Sequence, residues 1–395
     1  MKGVRFGRLL ACTPLMLAPL RAAIDVETAR AFDHFYNLEF DEAVGAFANL
    51  VAARPASAPA RNHLAQSVLY REMLRSGALE TELVTGGNAF LRRAKMNPSA
   101  EDARLFDSSI AEAIRLSKAA LAANPSDKPG LYSLGVAHGL RANYNFLVRK
   151  AWIDSLRDAT AARTAHDRLT ALEPGRADTR LVQGAHEYMV GSLPWIYRAL
   201  GFLGGFRGDK EQGIRTLQMV WERGDDNKYD AAILLATIYR RERRPAEAVP
   251  LLESLLRKFP RNYLFQFELA QMQSDLGNPR KALEAIDAVD KLKLAGSPGY
   301  KNVPVEKIWY FRATVQFWYR DLDAALANFQ RVTAKAAELD LNTGVTAWMR
   351  LGQTYDLTGD RPKALEAYRG CIAYAPGSYR AKEAEGYLKS PFRRN

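Results

Sequence analysis

The chain has 395 residues, a formal net charge of +12 at pH 7 and two cysteines, Cys12 and Cys371. Its lysines and arginines are dispersed rather than clustered, which favours solvated helix faces over an anionic partner, and no nucleic-acid-binding motif accompanies them. Because Cys12 lies in the N-terminal leader described next, the composition excludes a disulfide in the mature chain. We therefore predict no nucleic-acid partner and an inert, buried Cys371.

The N-terminus predicts a secretory signal peptide. Three basic residues and no acid precede the apolar stretch from Leu9 to Leu20, which is too short to span a bilayer. A mitochondrial presequence would be amphipathic rather than continuously apolar. We expect residues 1–23 to be removed, which takes away four positive charges and leaves a net charge of +8. The predicted location is the periplasm or the extracellular space, with a cytoplasmic or membrane-associated location as the alternative.

Apolar residues at three-to-four spacing then recur in units of about 34 residues, most of them closed by a proline. About eight units can be laid along the mature sequence, with starts at residues 24, 58, 128, 177, 229, 263, 306 and 345. Residues 24–228 are irregular, because the second unit carries an insertion and the third and fourth have lengthened helices or insertions. Residues 229–395 are regular and end in a predicted capping helix over residues 379–389, which a solenoid needs at its terminus.

The last unit, residues 345–378, carries every landmark of the pattern. Its landmarks are Trp348, Leu351, Gly352, Tyr355, Ala364, Tyr368, Cys371 and Pro376. The first four share one face of a first helix, the next three share one face of a second, and Pro376 ends that helix. This spacing is the tetratricopeptide signature. It predicts an all-α, right-handed superhelical solenoid of about eight helix pairs.

The centre of the chain carries a further resemblance. Residues 201–213 and the helices that follow them resemble the Iml2-type tetratricopeptide family, eukaryotic proteins linked to lipid droplets and inclusion clearance. The resemblance covers roughly residues 140–240 and implies an architecture of long helices. In the same region Asp209 and Gln212 have the spacing of a capping box, in which the aspartate accepts from a free N–H and the glutamine reaches back.

No residue set in the sequence predicts catalysis, a cofactor or a metal. The histidines His34, His63, His138, His166 and His186 form no HxxxH, HExxH or Cys/His spacing, so we expect satisfied or solvent-facing imidazoles. The glycines at 201, 204, 205 and 208 lack the Lys-Ser/Thr ending of a phosphate-binding loop and indicate a tight interhelical turn. We therefore predict that the protein is not an enzyme.

Binding is the better functional hypothesis. The resemblance to tetratricopeptide repeats implies that positions 2, 5, 9 and 12 of the first helix in each pair line the concave surface of the stack. The residues that we expect to form a peptide-binding groove there are Tyr132, Tyr188, Ile233, Arg240, Phe267, Tyr310, Phe317 and Met349. Such an aromatic face suits an extended or helical peptide with apolar anchors. The alternative is that several of these side chains only fill space between helices.

A different class of function, a peripheral membrane or lipid-associated module, is suggested by the apolar segment 193–206. Its lipid contacts would come from Trp195, Tyr197, Arg198, Phe202 and Phe206. A stretch of about 14 apolar residues is too short to span a bilayer. It can lie in the headgroup region, or it can fold into the solenoid and plug its concave face. We favour the plug, and with it a non-catalytic scaffold that binds a protein or peptide partner in the cell envelope or outside the cell.

Overall fold

The computed structural model describes residues 25–79, 95–192 and 208–394, and this part of the chain is built from α-helices without strands. Seventeen α-helices lie within these ranges. They are α1 (Val26–Tyr36), α2 (Phe40–Ala53), α3 (Ala58–Arg75), α4 (Ala100–Ala123), α5 (Lys128–Tyr144), α6 (Trp152–Leu172), α7 (Leu181–Gly191), α8 (Lys210–Arg223), α9 (Lys228–Arg241), α10 (Pro245–Lys258), α11 (Tyr263–Asp275), α12 (Pro279–Leu294), α13 (Val305–Trp318), α14 (Leu322–Ala334), α15 (Leu341–Thr358), α16 (Arg361–Tyr374) and α17 (Tyr379–Lys389).

Helices α15 and α16 show how the repeat sequence makes its helix pair. Gly352 lies directly against the Tyr368 ring, so that the two backbones approach closely, and Ala364 is fully buried. Gly359 ends α15 with φ +87°, a left-handed conformation that glycine adopts without strain. Cys371 is buried and its thiol donates to the Val345 carbonyl, as expected for a small core residue. The predicted pair is therefore confirmed in detail.

Each helix packs against the next along the chain, and the pairs stack into an all-helical solenoid. Buried apolar side chains form three neighbouring clusters along its length, in residues 31–148, 188–272 and 267–384. The predicted capping helix is present as α17, which packs against α16 and α15 through Ala381 and Ala384. The C-terminal end of the core is thereby covered, as a stack of repeats requires.

The irregular units contain the lengthened helices that their spacing predicts. Helix α4 is 24 residues long and α6 is 21 residues long. Helix α5 continues into a π-helical turn at Asn145–Arg149, which ends at Lys150 with φ +56°. The insertion of the second unit includes residues 80–94, which are not among the described residues.

The start of α8 corrects one prediction. The Asp209 carboxylate caps the helix and accepts from the Gln212 N–H at 2.8 Å, as expected. The Gln212 side chain does not reach back. Its amide nitrogen lies 3.4 Å from Thr216 Oγ1, and its oxygen accepts from Arg215. The predicted reciprocal hydrogen bond of the capping box is wrong, because Thr216 and Arg215, about one turn along the helix, bond the glutamine side chain instead.

The N-terminal helices also contact a segment that lies much later in the chain. We call the contact between residues 33–39, at the α1–α2 turn, and residues 259–262, between α10 and α11, the closure contact. The Arg261 guanidinium donates to Glu39 and Asp33, each at 2.7 Å, and the Arg261 N–H donates to Asn37 Oδ1 at 2.9 Å. Asn262 Nδ2 donates to the Tyr36 carbonyl at 2.8 Å. Helix α1 is thus bonded directly to the α10–α11 junction, which follows it by more than 200 residues.

Candidate functional site

Six of the eight residues predicted to form the groove are buried. At most 7% of the surface of each is exposed to solvent in this group, which consists of Tyr188, Arg240, Phe267, Tyr310, Phe317 and Met349. Phe267 stacks on Phe311 with ring centroids 4.1 Å apart, and Arg240 pairs with Glu268 at 3.1 Å. These six residues therefore fill space between helices and offer no groove to a ligand. The packing alternative holds for them, because the superhelix brings the neighbouring helices into direct contact with these positions.

The other two groove residues, Tyr132 on α5 and Ile233 on α9, remain partly accessible. They lie where α9 meets the N-terminal helices, around the side chain of Asp230. The Tyr36 hydroxyl of α1 donates to Asp230 Oδ1 at 3.1 Å. Tyr36, Tyr70 and Asp230 are also partly accessible to solvent. We call Tyr36, Tyr70, Tyr132 and Asp230 the inner site.

The inner site is held in place by a network of buried polar groups. The Tyr132 hydroxyl donates to Asn227 Oδ1 at 3.0 Å. Asn227 is buried and donates twice to Asp178, from its backbone N–H to the carboxylate and from its side chain to the carbonyl, both at 2.9 Å. Because Asn227 is the residue before α9, this network fixes the first turn of α9, and Asp230 with it, against α5.

Aromatic stacking fixes the α1 side of the inner site. The Tyr36 ring stacks on the Phe259 ring with centroids 4.7 Å apart, and Tyr229 meets the same phenylalanine edge-on at 5.0 Å. Tyr70 packs against Phe35 at 5.1 Å. Such ring pairs add to the energy of simple burial. The site therefore exists only when the closure contact brings α1 to α9.

The inner site is electrostatically unusual because it holds a carboxylate without a cation among the described residues. Burial raises the pKa of Asp230 to about 6, and the hydrogen bond from Tyr36 acts in the opposite direction. Burial also raises the pKa of the Tyr36, Tyr70 and Tyr132 hydroxyls, and the Asp230 charge adds to each rise. The three phenols are neutral near pH 7, so Asp230 alone sets the charge of the site.

The histidines do not assemble into a reactive centre. His138 bonds Asp158 at 2.8 Å, and Arg141 bonds the same carboxylate at 2.6 Å. The Arg141 and His138 hydrogen bonds outweigh burial and lower the pKa of Asp158. Burial lowers the pKa of His63 and His166 to about 4, so both are neutral. No group of three metal-ligating side chains occurs in residues 25–79, 95–192 and 208–394.

The residues predicted to contact lipid, Trp195, Tyr197, Arg198, Phe202 and Phe206, lie outside the described residues, as does the predicted signal peptide. Among the helices that are described, none combines the length and the hydropathy needed to cross a membrane. The lipid-contact and export predictions both stay predictions.

The fold defines a class of protein, the helical-repeat solenoids, and the comparisons with known proteins specify the repeat. A tetratricopeptide repeat model matches residues 222–297, and a second model of the same repeat matches residues 345–378. The chain therefore contains tetratricopeptide repeats. A search of curated protein sequences finds no match. Neither matched model is of the Iml2 type, so that resemblance stays a prediction.

Three solved structures illustrate the similarity. The Cut9-Hcn1 hetero-tetramer of APC/C has a TM-score of 0.50 and 11% identity, covering 92% of this chain and 54% of that chain. Yeast Tom70 has a TM-score of 0.42 and 12% identity, with 92% and 88% covered. The human IFIT1 dimer with m7Gppp-AAAA has a TM-score of 0.46 and 13% identity, with 93% and 86% covered. At these identities the likeness to Cut9-Hcn1 shows the shared fold alone.

Sequence reasoning missed three residues of the inner site, Tyr36, Tyr70 and Asp230. A signal for Asp230 existed, because it occupies position 2 of the unit that starts at residue 229, one of the positions assigned to the concave surface. Tyr36 is recognisable as part of the aromatic face of α1. Its contact with Asp230 is not predictable, since the two residues are 194 positions apart.

Proposed function

We propose that the protein is a non-catalytic scaffold that is exported and holds an extended segment of a protein partner against the inner site. The observation that carries the proposal is the convergence of partly accessible side chains from α1, α3, α5 and α9 on one interior surface. Tetratricopeptide repeats present such surfaces to polypeptides.

The chemistry of the inner site suits a polypeptide segment. Tyrosine rings bury a large area with little loss of rotamer freedom, and their hydroxyls can exchange hydrogen bonds with a peptide backbone. Ile233 lies one helical turn after Asp230 and adds an apolar surface beside the carboxylate. An extended chain would therefore meet aromatic, apolar and acidic groups in succession.

Selection from a random decapeptide display library on the full mature chain tests this function. We expect enriched sequences whose affinity, measured by fluorescence anisotropy, falls for Tyr132→Ala. The matched control is Tyr379→Ala, because Tyr379 is 53% exposed on α17, far along the chain from the inner site. If no sequence is enriched, or if both variants weaken binding equally, the inner site is not where a partner segment binds.

A further inference from the structure

We propose that the inner site binds a cationic side chain, lysine or arginine, of the partner segment, with Asp230 as its counter-charge and the tyrosine rings around it. This inference rests on the proposed function and specifies the chemistry of the partner. It follows from three features of the site: a carboxylate without a cation among the described residues, nearby tyrosine rings, and neighbouring cations that are engaged by other groups.

The Asp230 carboxylate has a free acceptor. Its Oδ1 accepts from Tyr36, whereas its Oδ2 accepts no hydrogen bond from the described residues. Carboxylates that are removed from water are normally paired with a cation, because desolvation penalises an isolated charge by several kcal/mol. Among the described residues, the Tyr36 hydroxyl is joined only by the first turn of α9, whose backbone N–H groups favour a nearby negative charge weakly.

The cations near Asp230 in the sequence or across the closure contact are held by other groups. Lys228 Nζ lies 4.9 Å from the centroid of the Trp221 ring, and Lys258 Nζ lies 5.9 Å from the centroid of the Tyr229 ring. Arg240 pairs with Glu268 at 3.1 Å, and Arg261 bonds Glu39 and Asp33. An external cation can therefore reach Asp230 without competing with an internal ion pair.

The rings around Asp230 favour a cation over a neutral donor. The Tyr36 ring is already stacked on Phe259 and Phe32, whereas Tyr70 and Tyr132 stack on no ring among the described residues. The faces of such unstacked rings attract ammonium and guanidinium groups within about 6 Å. A hydrogen bond from a charged donor to a carboxylate is also roughly twice as strong as one between neutral groups. A lysine or arginine side chain satisfies both features at once, whereas a serine hydroxyl or a backbone N–H satisfies only the second.

Binding of a cation to Asp230 has a defined pH dependence. The carboxylate must be ionised, so the affinity should be constant well above the pKa of about 6 and should fall by about tenfold per pH unit well below it. No other group of the site titrates in that interval. The titratable and charged groups on the elements around Asp230 include Tyr36 on α1, His63 and Tyr70 on α3, Tyr132 on α5, Asp178 before α7, Asp226, Lys228 and Tyr229 at the start of α9, and Lys258 at the end of α10.

The test uses decapeptides selected on the full chain and repeats the selection on Asp230→Asn. We expect the sequences selected on the unsubstituted chain to share one lysine or arginine, whose replacement by norleucine lowers affinity at least tenfold. Asp230→Asn should cause a similar loss and abolish the pH dependence between pH 5 and 8. Asp323→Asn on α14 is the matched control, since Asp323 is exposed, and it should bind like the unsubstituted chain.

The Tyr36→Phe variant distinguishes an electrostatic role of the Tyr36 hydroxyl at Asp230 from a purely structural role. It keeps the carboxylate and the ring but removes the hydroxyl that stabilises the charge, so the pH midpoint of peptide binding should move upward. Enriched peptides without a shared basic residue, or equal binding by Asp230→Asn, would overturn the cation inference and leave the scaffold function standing. Failure to enrich any peptide would overturn both.

Discussion

At the scale of single residues, Asp230 is a side chain that the fold keeps at a cost in stability. The pKa of its carboxyl group rises on folding to about 6 because burial disfavours the charge. A residue retained against its own contribution to stability is typical of a functional position. The Tyr36 hydrogen bond reduces the cost but does not remove it.

Asp230→Asn should stabilise the unliganded protein at neutral pH. The cost of the charge is fully present above the folded pKa of about 6 and disappears as the pH falls below the unfolded value. The gain in the free energy of unfolding is therefore expected to approach roughly 3 kcal/mol at pH 7.5 and to shrink towards zero near pH 4. Denaturant unfolding across this pH range measures it, and a gain that is independent of pH would contradict it.

Sequence reasoning was least successful at this scale. The positions of the groove residues within their helices were read correctly, yet Tyr310, Phe317 and Met349 are fully buried. Position along a helix determines which face a residue occupies, whereas exposure depends on what the superhelix brings against that face. Tyr132 remains accessible because its neighbours across the interior are themselves the partly open groups of the inner site.

At the scale of the helix pair, the sequence was highly informative. The last unit predicted both α15 and α16, because the contacts within a helix pair join residues that are close together in the sequence. The reciprocal capping bond of Gln212 could not be predicted, since a glutamine at this position has several partners within one helical turn.

Gly352→Ala tests the close approach of α15 and α16. A Cβ at this position would lie 2.6 Å from a ring carbon of Tyr368. We expect overpacking of about 1 to 3 kcal/mol to exceed the gain in helix propensity. The control is Gly386→Ala in α17, where a Cβ meets no atom within 4 Å and where helix propensity should stabilise by about 0.5 to 1 kcal/mol. Thermal unfolding distinguishes them, and equal shifts would mean that the two helices can separate freely.

At the scale of the whole molecule, the closure contact distinguishes this solenoid from an open stack. It joins α1 to the α10–α11 junction through ion pairs, backbone hydrogen bonds and ring stacking. The repeat pattern does not predict the closure contact, because each helix pair is specified by its neighbours in the sequence and not by a pair several units away.

Arg261→Ala should release α1 from the closure contact. Hydrogen bonds to charged groups contribute about 1.5 to 3 kcal/mol each when partly buried, and the Arg261 side chain is 28% exposed. Amide hydrogen exchange in α1 and α2 should become at least several-fold faster, while exchange in α15 and α16 stays unchanged. Arg280→Ala is the control, since its side chain is 88% exposed. Unchanged exchange in α1 would show that Arg261 does not hold the contact.

The export prediction also belongs to the whole molecule. If residues 1–23 are a signal peptide, protein recovered from a periplasmic or secreted fraction should begin near Ala23 or Ile24 when its N-terminus is sequenced. Retention of Met1 on protein found only in the cytosol would show that the N-terminal segment is not a signal peptide.

The closure contact also has a consequence for the order of folding. Its hydrogen bonds join residues 222 to 228 positions apart, and bringing such distant segments together costs more conformational entropy than pairing adjacent helices. We therefore expect the intervening helix pairs to form first, each from local contacts, and the closure contact to form last. Until then the Asp230 carboxylate faces water and its pKa stays near the ordinary value for aspartate. The raised pKa of Asp230 should therefore arise only in the final step of folding.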